Sequence, residues 1–241
     1  MQRSFFIGTA GWSIGSRYKD DFPDAGSHLD RYARRLNAVE INSSFYRPHR
    51  RETYERWAGT VPDHFRFSAK LPKTITHKQR LAECEGFLDQ FLLEAGGLGS
   101  KLAVLLVQLP PSLRFDAATA PAFLAVLRSR TEVAIALEPR HASWFEHEVD
   151  IALRRLRITR VAADPALFTG SDEPAGWTGL AYFRMHGSPR VYYADYSDES
   201  LRNLRQRTVE ANAAGAQVWC IFDNTAQHHA LGNALTLAKM E

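Results

Sequence analysis

The sequence has little cysteine and no long apolar run, and each shortage excludes whole classes of protein. Cys84 and Cys220 are the only cysteines among 241 residues, and they form no CxxC pair. A disulfide framework and a cysteine-based zinc site are therefore excluded, and a reducing compartment is expected. No apolar run approaches the roughly 20 residues that cross a bilayer. The apolar start, residues 5–7, is too short for the core of a signal peptide. We therefore expect a cytoplasmic protein without a membrane partner.

The familiar cofactor and nucleophile motifs are absent as well. The run Gly8-Thr-Ala-Gly11 lacks the GxGxxG spacing of a dinucleotide site, and the chain has neither a Walker loop nor a Ser-His-Asp signature. The net charge of +3 is compatible with anionic substrates but too weak to indicate a nucleic-acid-binding face. No cofactor is predicted, and a divalent metal remains an alternative that the acidic residues described below would allow.

Residues 133–138 show the pattern on which the rest of the chain is built. Bulky apolar residues alternate with alanine, which is the period of two of a β-strand, and the small face ends in Glu138. Pro139 then ends the strand, and Arg140 and His141 follow it. A strand with a small inner face and a terminal carboxylate is typical of a barrel strand that carries a charge to the mouth of a pocket.

Eight segments read as strands, and most are followed by a helical pattern. The predicted strands are residues 5–9, 38–42, 65–70, 102–108, 133–138, 159–164, 180–186 and 217–222. Helices are predicted from about residue 28, around 54–57, over 81–95, 119–128 and 145–156, after the N-cap Ser197, and over the last apolar residues. Residues 165–179 are rich in Gly, Pro and Asp, which favours a loop with little or no helix.

This alternation predicts an α/β fold with a parallel sheet. Eight strands favour a single closed (β/α)₈ TIM-like barrel with a degraded sixth helix, and an open doubly wound sheet is the alternative. No linker or shift in composition divides the chain, so residues 1–241 are expected to form one domain.

In such a barrel the working face lies at the carboxyl ends of the strands. The polar residues predicted there are Glu40, Asn42, Ser68, Lys70, Gln108, Glu138, Asp164, Arg184, His186 and Asp223, with Arg140, His141 and Asn224 just beyond the strand ends. Buried unpaired charges are costly, so packing alone does not call for them. They indicate either a functional site or an ion-pair network that closes the top of the barrel.

The mixture of charges suggests which chemistry such a site would perform. Lys70, Arg140 and Arg184 could bind a phosphate or carboxylate by charge-assisted hydrogen bonds. Glu138 and Glu40 are the candidates for acid and base: one carboxylate could be the general base, with His141, His186 or the second carboxylate as the acid, while His186, Asp164 and Asp223 would orient or assist. Asn42, Gln108 and Asn224 are further candidates for substrate binding. Trp12, Tyr46, Trp144 and Tyr193 could form flat walls for a sugar or base, or plugs of the loops.

A metal site is the alternative interpretation of the same residues. Glu, Asp and His side chains from different strands are the ligands that metal-dependent sugar isomerases and endonucleases use. The interspersed Lys70, Arg140 and Arg184 would neutralise much of the negative field that a divalent ion needs. The metal-free interpretation is therefore preferred, and no metal ligand is assigned.

With these residues laid out, the chain resembles the YecE-like family, also called domain of unknown function 72. The matching segments are Gly8-Thr-Ala-Gly-Trp-Ser13, Val39-Glu-Ile-Asn-Ser-Ser-Phe-Tyr-Arg47, Lys70 with Thr76-His77, Gln108-Leu-Pro-Pro111, Glu138-Pro-Arg-His-Ala-Ser-Trp144, Arg184-Met-His-Gly187 and Phe222-Asp-Asn224. They follow one another over nearly the whole chain. The resemblance implies a TIM-barrel-like fold and supplies no reaction. The chain departs from the family pattern around Ser16-Arg17-Tyr18 and Gln227-His228-His229.

The function predicted from the sequence is an enzyme that performs hydrolytic or acid/base chemistry on a small anionic or sugar-like substrate. A metal-dependent phosphoesterase or endonuclease-like protein acting on nucleic acid is one alternative, although nucleic acid is not the favoured partner. A non-catalytic protein that binds DNA or a small ligand is another.

Overall fold

The computed structural model describes residues 5–240, in which ten strands form two sheets. The strands are β1 (Phe5–Thr9), β2 (Ala38–Ile41), β3 (Arg66–Lys70), β4 (Leu102–Gln108), β5 (Ala134–Glu138), β6 (Ile158–Arg160), β7 (Ala162–Asp164), β8 (Ala175–Gly176), β9 (Leu180–Met185) and β10 (Gln217–Phe222). One sheet has the order β1-β10-β9-β7, and the other has the order β2-β3-β4-β5-β6-β8. Every pairing is parallel except that of β6 with β8.

Helices follow most of the strands, which confirms the predicted α/β class. They are α1 (His28–Ala33), α2 (Ser43–Tyr46), α3 (Arg51–Thr60), α4 (Glu85–Ala95), α5 (Thr119–Arg130), α6 (His147–Arg155), α7 (Asp198–Ala213) and α8 (His229–Lys239). Residues 165–179 contain no helix, as predicted, but they do contain the short strand β8, which was not predicted. Within residues 5–240, no helix combines the length and apolar character needed to span a bilayer.

The first strand lies beside β2, although the two belong to different sheets. Ala10 and Glu40 form an isolated parallel bridge, and the N–H of Gly11 donates to the Glu40 carbonyl at 2.9 Å. Elsewhere along these two strands, hydrogen bonds from side chains take the place of backbone pairing. Asn37 binds the backbone of both Phe5 and Ile7. The Tyr32 hydroxyl accepts from the Thr9 N–H and donates to the Ala38 carbonyl. We call this contact the β1–β2 seam.

The predicted sixth strand is divided at Val161, and its two halves belong to different sheets. β6 pairs with β5, whereas β7 pairs with β9. Between them the Val161 N–H donates to the Leu137 carbonyl at 2.9 Å, and the Thr159 hydroxyl reaches the Leu180 carbonyl at 3.0 Å. Residues 158–164 therefore contact both sheets, and we call this region the β6–β7 seam.

One apolar cluster is shared by strands of both sheets. It contains Phe6, Ala38, Val104, Leu106, Ala136, Val161, Leu180, Tyr182, Trp219 and Ile221. Trp219 stacks on Tyr182 with ring centroids 5.9 Å apart, and on Phe6 at 5.0 Å. The alternate residues of the same strands, such as Ile135 and Leu137, belong to a second cluster that includes the helices. The alternation read from residues 133–138 thus corresponds to these two layers.

Candidate functional site

Arg184 lies at the centre of the charged residues that end the strands. It is fully buried and forms a two-pronged contact with Glu40, at 2.9 Å from Nε to Oε2 and 2.7 Å from Nη2 to Oε1. Its Nη1 donates to Glu138 at 3.0 Å, and its Nη2 lies 3.0 Å from Asp223. Burial alone would lower the pKa of Arg184, but the three carboxylates, led by Glu40, outweigh it and hold that pKa well above its usual value. Arg184 therefore joins strand ends from both sheets.

His186 lies between two carboxylates. Its Nδ1 is 3.1 Å from Asp223 Oδ2, and its Nε2 is 3.0 Å from Glu138 Oε1. Burial would lower the pKa of this imidazole, but Glu138 and the hydrogen bond to Asp223 outweigh that cost and raise the pKa above its ordinary value. The arrangement therefore favours an imidazolium that donates a hydrogen bond on each side.

Glu138 is the most heavily bonded carboxylate of the site. It accepts from Arg184, from both Nε and Nη2 of Arg140 at 3.1 and 2.9 Å, and from Gln108 at 3.1 Å. Burial would raise its pKa, but Arg184, His186 and Arg140 outweigh burial and hold the pKa well below the ordinary value. A carboxylate held so firmly in its charged form is a poor general acid.

Glu40, the other predicted acid/base residue, is saturated in the same way. Besides its two contacts with Arg184, its Oε2 accepts from the Tyr182 hydroxyl at 3.1 Å, and that hydroxyl lies 2.8 Å from Ser68 Oγ. Glu40 is completely buried. Glu40 thus contacts the guanidinium of Arg184 through both of its carboxylate oxygens.

Arg140 is the cation of the network that faces solvent. Its side chain is 20% exposed, whereas that of Arg184 is 0% exposed. A small cavity of about 40 Å³ opens beside it, with Glu138, His186, Leu167 and Val191 among its walls. This volume holds a few water molecules, so the network is accessible to a small ligand at this point.

Lys70, at the end of β3, is buried to 4% exposure. Among residues 5–240, no carboxylate lies within ion-pair distance of its Nζ, which instead lies 4.2 Å from the centroid of the Phe45 ring. Burial, followed by the charge of Arg184, lowers the pKa of Lys70 to about 8, although Glu40, Glu138 and Asp223 act in the opposite direction.

Three predicted site residues lie apart from this network and have local partners. Asp164 accepts from the Tyr196 hydroxyl at 2.6 Å. His141 caps the short helix Ala142–Trp144, since its Nδ1 accepts from the Ser143 N–H at 3.2 Å. Trp144 is 1% exposed and donates from its ring N–H to the Leu113 carbonyl, so it packs in the core away from the Arg184 network.

The remaining predicted binding residues are placed as follows. Asn224 is fully buried and donates to Ala194 and Asn233, which makes it a support of the neighbouring loop. Asn42 is half-buried beside α2. Trp12 packs edge-on against Trp57, and Tyr46 is 64% exposed. None of these four side chains contacts the Arg184 network among the contacts of residues 5–240.

Two aromatic residues of the site were not predicted from the sequence. Tyr182 could have been found, because it has the same strand parity as Arg184 and His186 and lies one layer deeper. Tyr192 gave no such signal. Its backbone adopts a left-handed conformation with φ of 68°, which brings its ring edge-on to His186 with centroids 5.9 Å apart.

The charges of the site leave an excess of one positive charge when both His186 and Lys70 are protonated. Arg184, Arg140, Lys70 and His186 are four cations, and Glu40, Glu138 and Asp223 are three carboxylates. Over the described range, no group of three or more His, Cys, Asp and Glu side chains is arranged to hold a metal ion. The carboxylates that the metal alternative requires are bound to guanidinium groups instead.

Comparison with known proteins gives one family for nearly the whole chain. The family model described as "Protein of unknown function DUF72" matches residues 6–241. The UPF0759 protein YecE of Escherichia coli strain K12 is 31% identical over 142 residues, which cover 56% of this chain and 52% of that protein. The protein of the same name from Escherichia coli O157:H7 is 33% identical over the same length. The chain thus spans about half the length of the curated relatives it matches.

Two solved structures share the fold. A DUF72 family protein from Thermotoga maritima MSB8 has a TM-score of 0.80 and 26% identity, with 98% of each chain covered. A DUF72 family protein from Enterococcus faecalis V583 has a TM-score of 0.81 and 21% identity, and the match covers 98% of this chain and 94% of that one.

Proposed function

The chain belongs to the DUF72 family, and from that premise we propose that it is an enzyme whose site at the strand ends transfers a proton to or from a small anionic substrate. His186 is the proton-transfer residue, and Arg140 is the cation that binds the anionic group. The observation that carries the proposal is the imidazole held between Glu138 and Asp223 beside a cavity that Arg140 also lines.

The proposal includes the architecture that builds the site. We infer that the β1–β2 seam and the β6–β7 seam close the two sheets into one (β/α)₈ barrel within a single domain. Closure would explain why carboxylates from β2 and β5 meet the guanidinium of Arg184 on β9. In a barrel, the ends of strands far apart in the sequence face one central space.

The proposed chemistry depends on which side chains of the site can gain or lose a proton. For proton transfer, His186 would exchange the contact of its Nε2 with Glu138, which also lines the cavity, for one with the substrate, and give or take the proton there, while Asp223 keeps Nδ1 protonated. Glu138 and Asp223 act as positioning residues, because their partners keep them ionised throughout. The excess positive charge of the site favours a phosphate- or carboxylate-bearing substrate over an uncharged sugar.

Anion binding is tested with inorganic phosphate as the probe in isothermal titration calorimetry. Arg140→Gln is expected to weaken phosphate binding about tenfold or more, since a charge-assisted contact contributes about 1.5–3 kcal/mol. Arg190→Gln is the matched control, because Arg190 is an exposed arginine on the loop after β9 that stacks on Tyr193. Equal phosphate affinity in all three proteins would contradict the assignment of Arg140.

Proton transfer is tested by screening small phosphate and carboxylate compounds for turnover. His186→Gln is expected to lower any turnover by about 10²–10⁴-fold. Nitrogen-15 NMR of the imidazoles gives an independent readout, because the pKa of His186 is raised whereas burial lowers the pKa values of His49 and His77. As pH rises, His186 should therefore lose its proton after both of those residues. An earlier deprotonation of His186 would count against the proposed role.

A further inference from the structure

Lys70 is a buried residue whose amine has no polar partner among the described residues. Its side chain ends 4.2 Å from the centroid of the Phe45 ring, in a residue that is only 4% exposed. A buried ammonium usually has a carboxylate partner, because removing the charge from water is costly. Arg184 and Arg140, by contrast, both have carboxylates within 3.0 Å. Lys70 is therefore the cation that the network leaves uncompensated.

Hydrogen bonds hold the backbone at Lys70 in place. It is the last residue of β3, its carbonyl lies 2.7 Å from the Ser44 hydroxyl, and the next N–H, that of Leu71, donates to the Leu106 carbonyl. The amine thus projects from a rigid strand end. A rigid element holds a reacting group more precisely than a loop does.

The electrostatic surroundings lower the pKa of Lys70 toward the neutral range. The charged and titratable groups that act on Lys70 or respond to it are Arg184, Glu40, Glu138, Asp223 and His77. Burial and Arg184 together outweigh the carboxylates, and they lower the pKa of Lys70 to about 8. Near neutral pH its free amine is therefore far more abundant than that of an exposed lysine. A desolvated lysine of this kind is the usual nucleophile toward carbonyl carbon.

We propose that Lys70 forms an imine with the carbonyl group of a small anionic oxo compound bound at the strand ends. The anionic character of this substrate rests on the function proposed above, whereas the imine depends on Lys70 alone. A second cation for simple anion binding would be more effective if it were exposed and permanently charged, as Arg140 is. A partnerless amine beside an aromatic ring suits covalent chemistry better.

The step is balanced without an oxidant or reductant. The lone pair of the neutral Nζ attacks the carbonyl carbon, a C–N bond forms, and the C=O π electrons move to the oxygen, which takes up a proton. The nitrogen loses one proton to give the carbinolamine, the oxygen is protonated a second time and leaves as water while the nitrogen lone pair forms the C=N bond, and the nitrogen then loses its second proton to give the imine. One amine and one carbonyl thus give one imine and one water, and His186 is the acid that the proposed function supplies.

The experiment uses the wild-type protein with glyoxylate as the probe and sodium cyanoborohydride as the trapping reductant near neutral pH. Peptide mass spectrometry then measures carboxymethylation at each lysine. Lys70 is expected to react faster than Lys19 and Lys78, both exposed, by on the order of tenfold or more, because its amine is less protonated. Labelling of Lys70 that is no faster than that of Lys19 and Lys78 would overturn the proposal.

A second arm separates this inference from the proposed function. Glyoxylate carries a carboxylate and acetaldehyde does not, so Arg140→Gln should reduce the preference for glyoxylate while Lys70 stays reactive toward both. Selective labelling of Lys70 without any preference for glyoxylate would support the imine and count against the proposed anion site. If Lys70 of the wild type were not labelled selectively while phosphate still bound through Arg140, the imine proposal would be overturned and the proposed anion site would stand.

Discussion

Lys70 and Arg184 are both buried cations, yet their surroundings give them opposite effects on stability. Arg184 is surrounded by Glu40, Glu138 and Asp223, and removing it would take the only cationic partner from Glu40 among the described residues and one cationic partner from each of the other two. Lys70 has an aromatic ring where a carboxylate would be expected. Keeping Lys70 buried without a carboxylate partner lowers the stability of the fold, and proteins commonly retain such a residue where function requires it.

Replacing Lys70 with Met is predicted to stabilise the protein near neutral pH by about 1–3 kcal/mol, because Met fills a similar volume without a buried charge. The folded pKa of about 8 lies below the ordinary 10.5, so between these values the unfolded chain binds more protons. The stability of the wild type therefore rises with pH across this window, and the advantage of the variant shrinks. Urea unfolding at neutral pH and near pH 10 measures both effects.

Lys78→Met is the control for this experiment, because Lys78 is exposed and should show neither the gain nor its pH dependence. A Lys70→Met protein that is less stable than wild type at neutral pH would contradict the description of Lys70 as an uncompensated charge.

Arg184→Lys is predicted to destabilise the protein by about 3 kcal/mol or more. Lysine cannot reproduce the planar fork that reaches Glu40 through two nitrogens and Glu138 through a third, so buried carboxylates would lose partners. Arg140→Lys is the matched variant, since Arg140 is partly exposed and contacts one carboxylate only, and it should cost about 1 kcal/mol. Equal losses in urea unfolding would show that the Arg184 network does not depend on guanidinium geometry.

The sequence predicted the centre of the site because strand parity has a simple physical basis. Glu40, Glu138, Arg184 and His186 each end an alternating strand or follow it directly, and alternate residues of a strand share one face. Beyond the end of a strand, alternation no longer predicts which way a side chain points. Trp144 lies in a short helix after β5, where loop contacts set its direction, so the sequence could not show that it turns into the core.

At the level of helices and strands, signals in the local sequence were the most reliable. Ser197 was predicted to cap a helix, and its Oγ accepts from the Ser200 N–H at the start of α7. The helix predicted from residue 81 begins only at Glu85, because Arg80, Leu81 and Glu83 all have positive φ. Leu81 fits the helical spacing and is buried, but its burial is achieved from an irregular segment. Periodicity alone does not distinguish a buried residue within a helix from a buried residue in an irregular segment before it.

Ser197→Ala is predicted to cost about 1 kcal/mol of stability, because the first turn of α7 loses the acceptor for one of its free N–H groups. Ser197→Asp should retain most of the stability, since aspartate is an equally good N-cap and favours the positive end of the helix dipole. Thermal or urea unfolding measures both variants. A loss in the aspartate variant as large as that in the alanine variant would indicate that the hydroxyl has a role other than capping.

For the whole molecule, the two seams decide how the sheets are related, and neither seam was visible in the sequence. The division at Val161 depends on which strands lie on either side of residues 158–164, and those strands are distant in the chain. The β1–β2 seam depends on Asn37 and Tyr32, whose side chains bind the backbone where the ladder is incomplete. Alternating strands and helices predict an α/β fold, whereas the proposed closure of the two sheets would depend on these tertiary contacts.

Gly8 gives the most direct test of the β1–β2 seam. A Cβ at this position would lie 2.0 Å from the carbonyl oxygen of Ala38, which belongs to the backbone of β2 and cannot move aside alone. Gly8→Ala is therefore predicted to push β1 away from β2 and to destabilise the protein by about 2–4 kcal/mol. The N–H groups of Thr9 and Gly11, which donate across the seam, should lose protection in hydrogen exchange.

Gly59→Ala is the control, because Gly59 lies within α3 and an added Cβ there meets nothing within 4 Å. That substitution should leave stability unchanged or raise it by up to about 1 kcal/mol, since alanine restricts the unfolded chain. If Gly8→Ala were as stable as Gly59→Ala and kept the Thr9 and Gly11 amides protected, the close approach of β1 and β2 would not be needed to hold the two sheets together. The proposed closed barrel would then lose one of its two seams, and with it the reason why Glu40 meets Arg184.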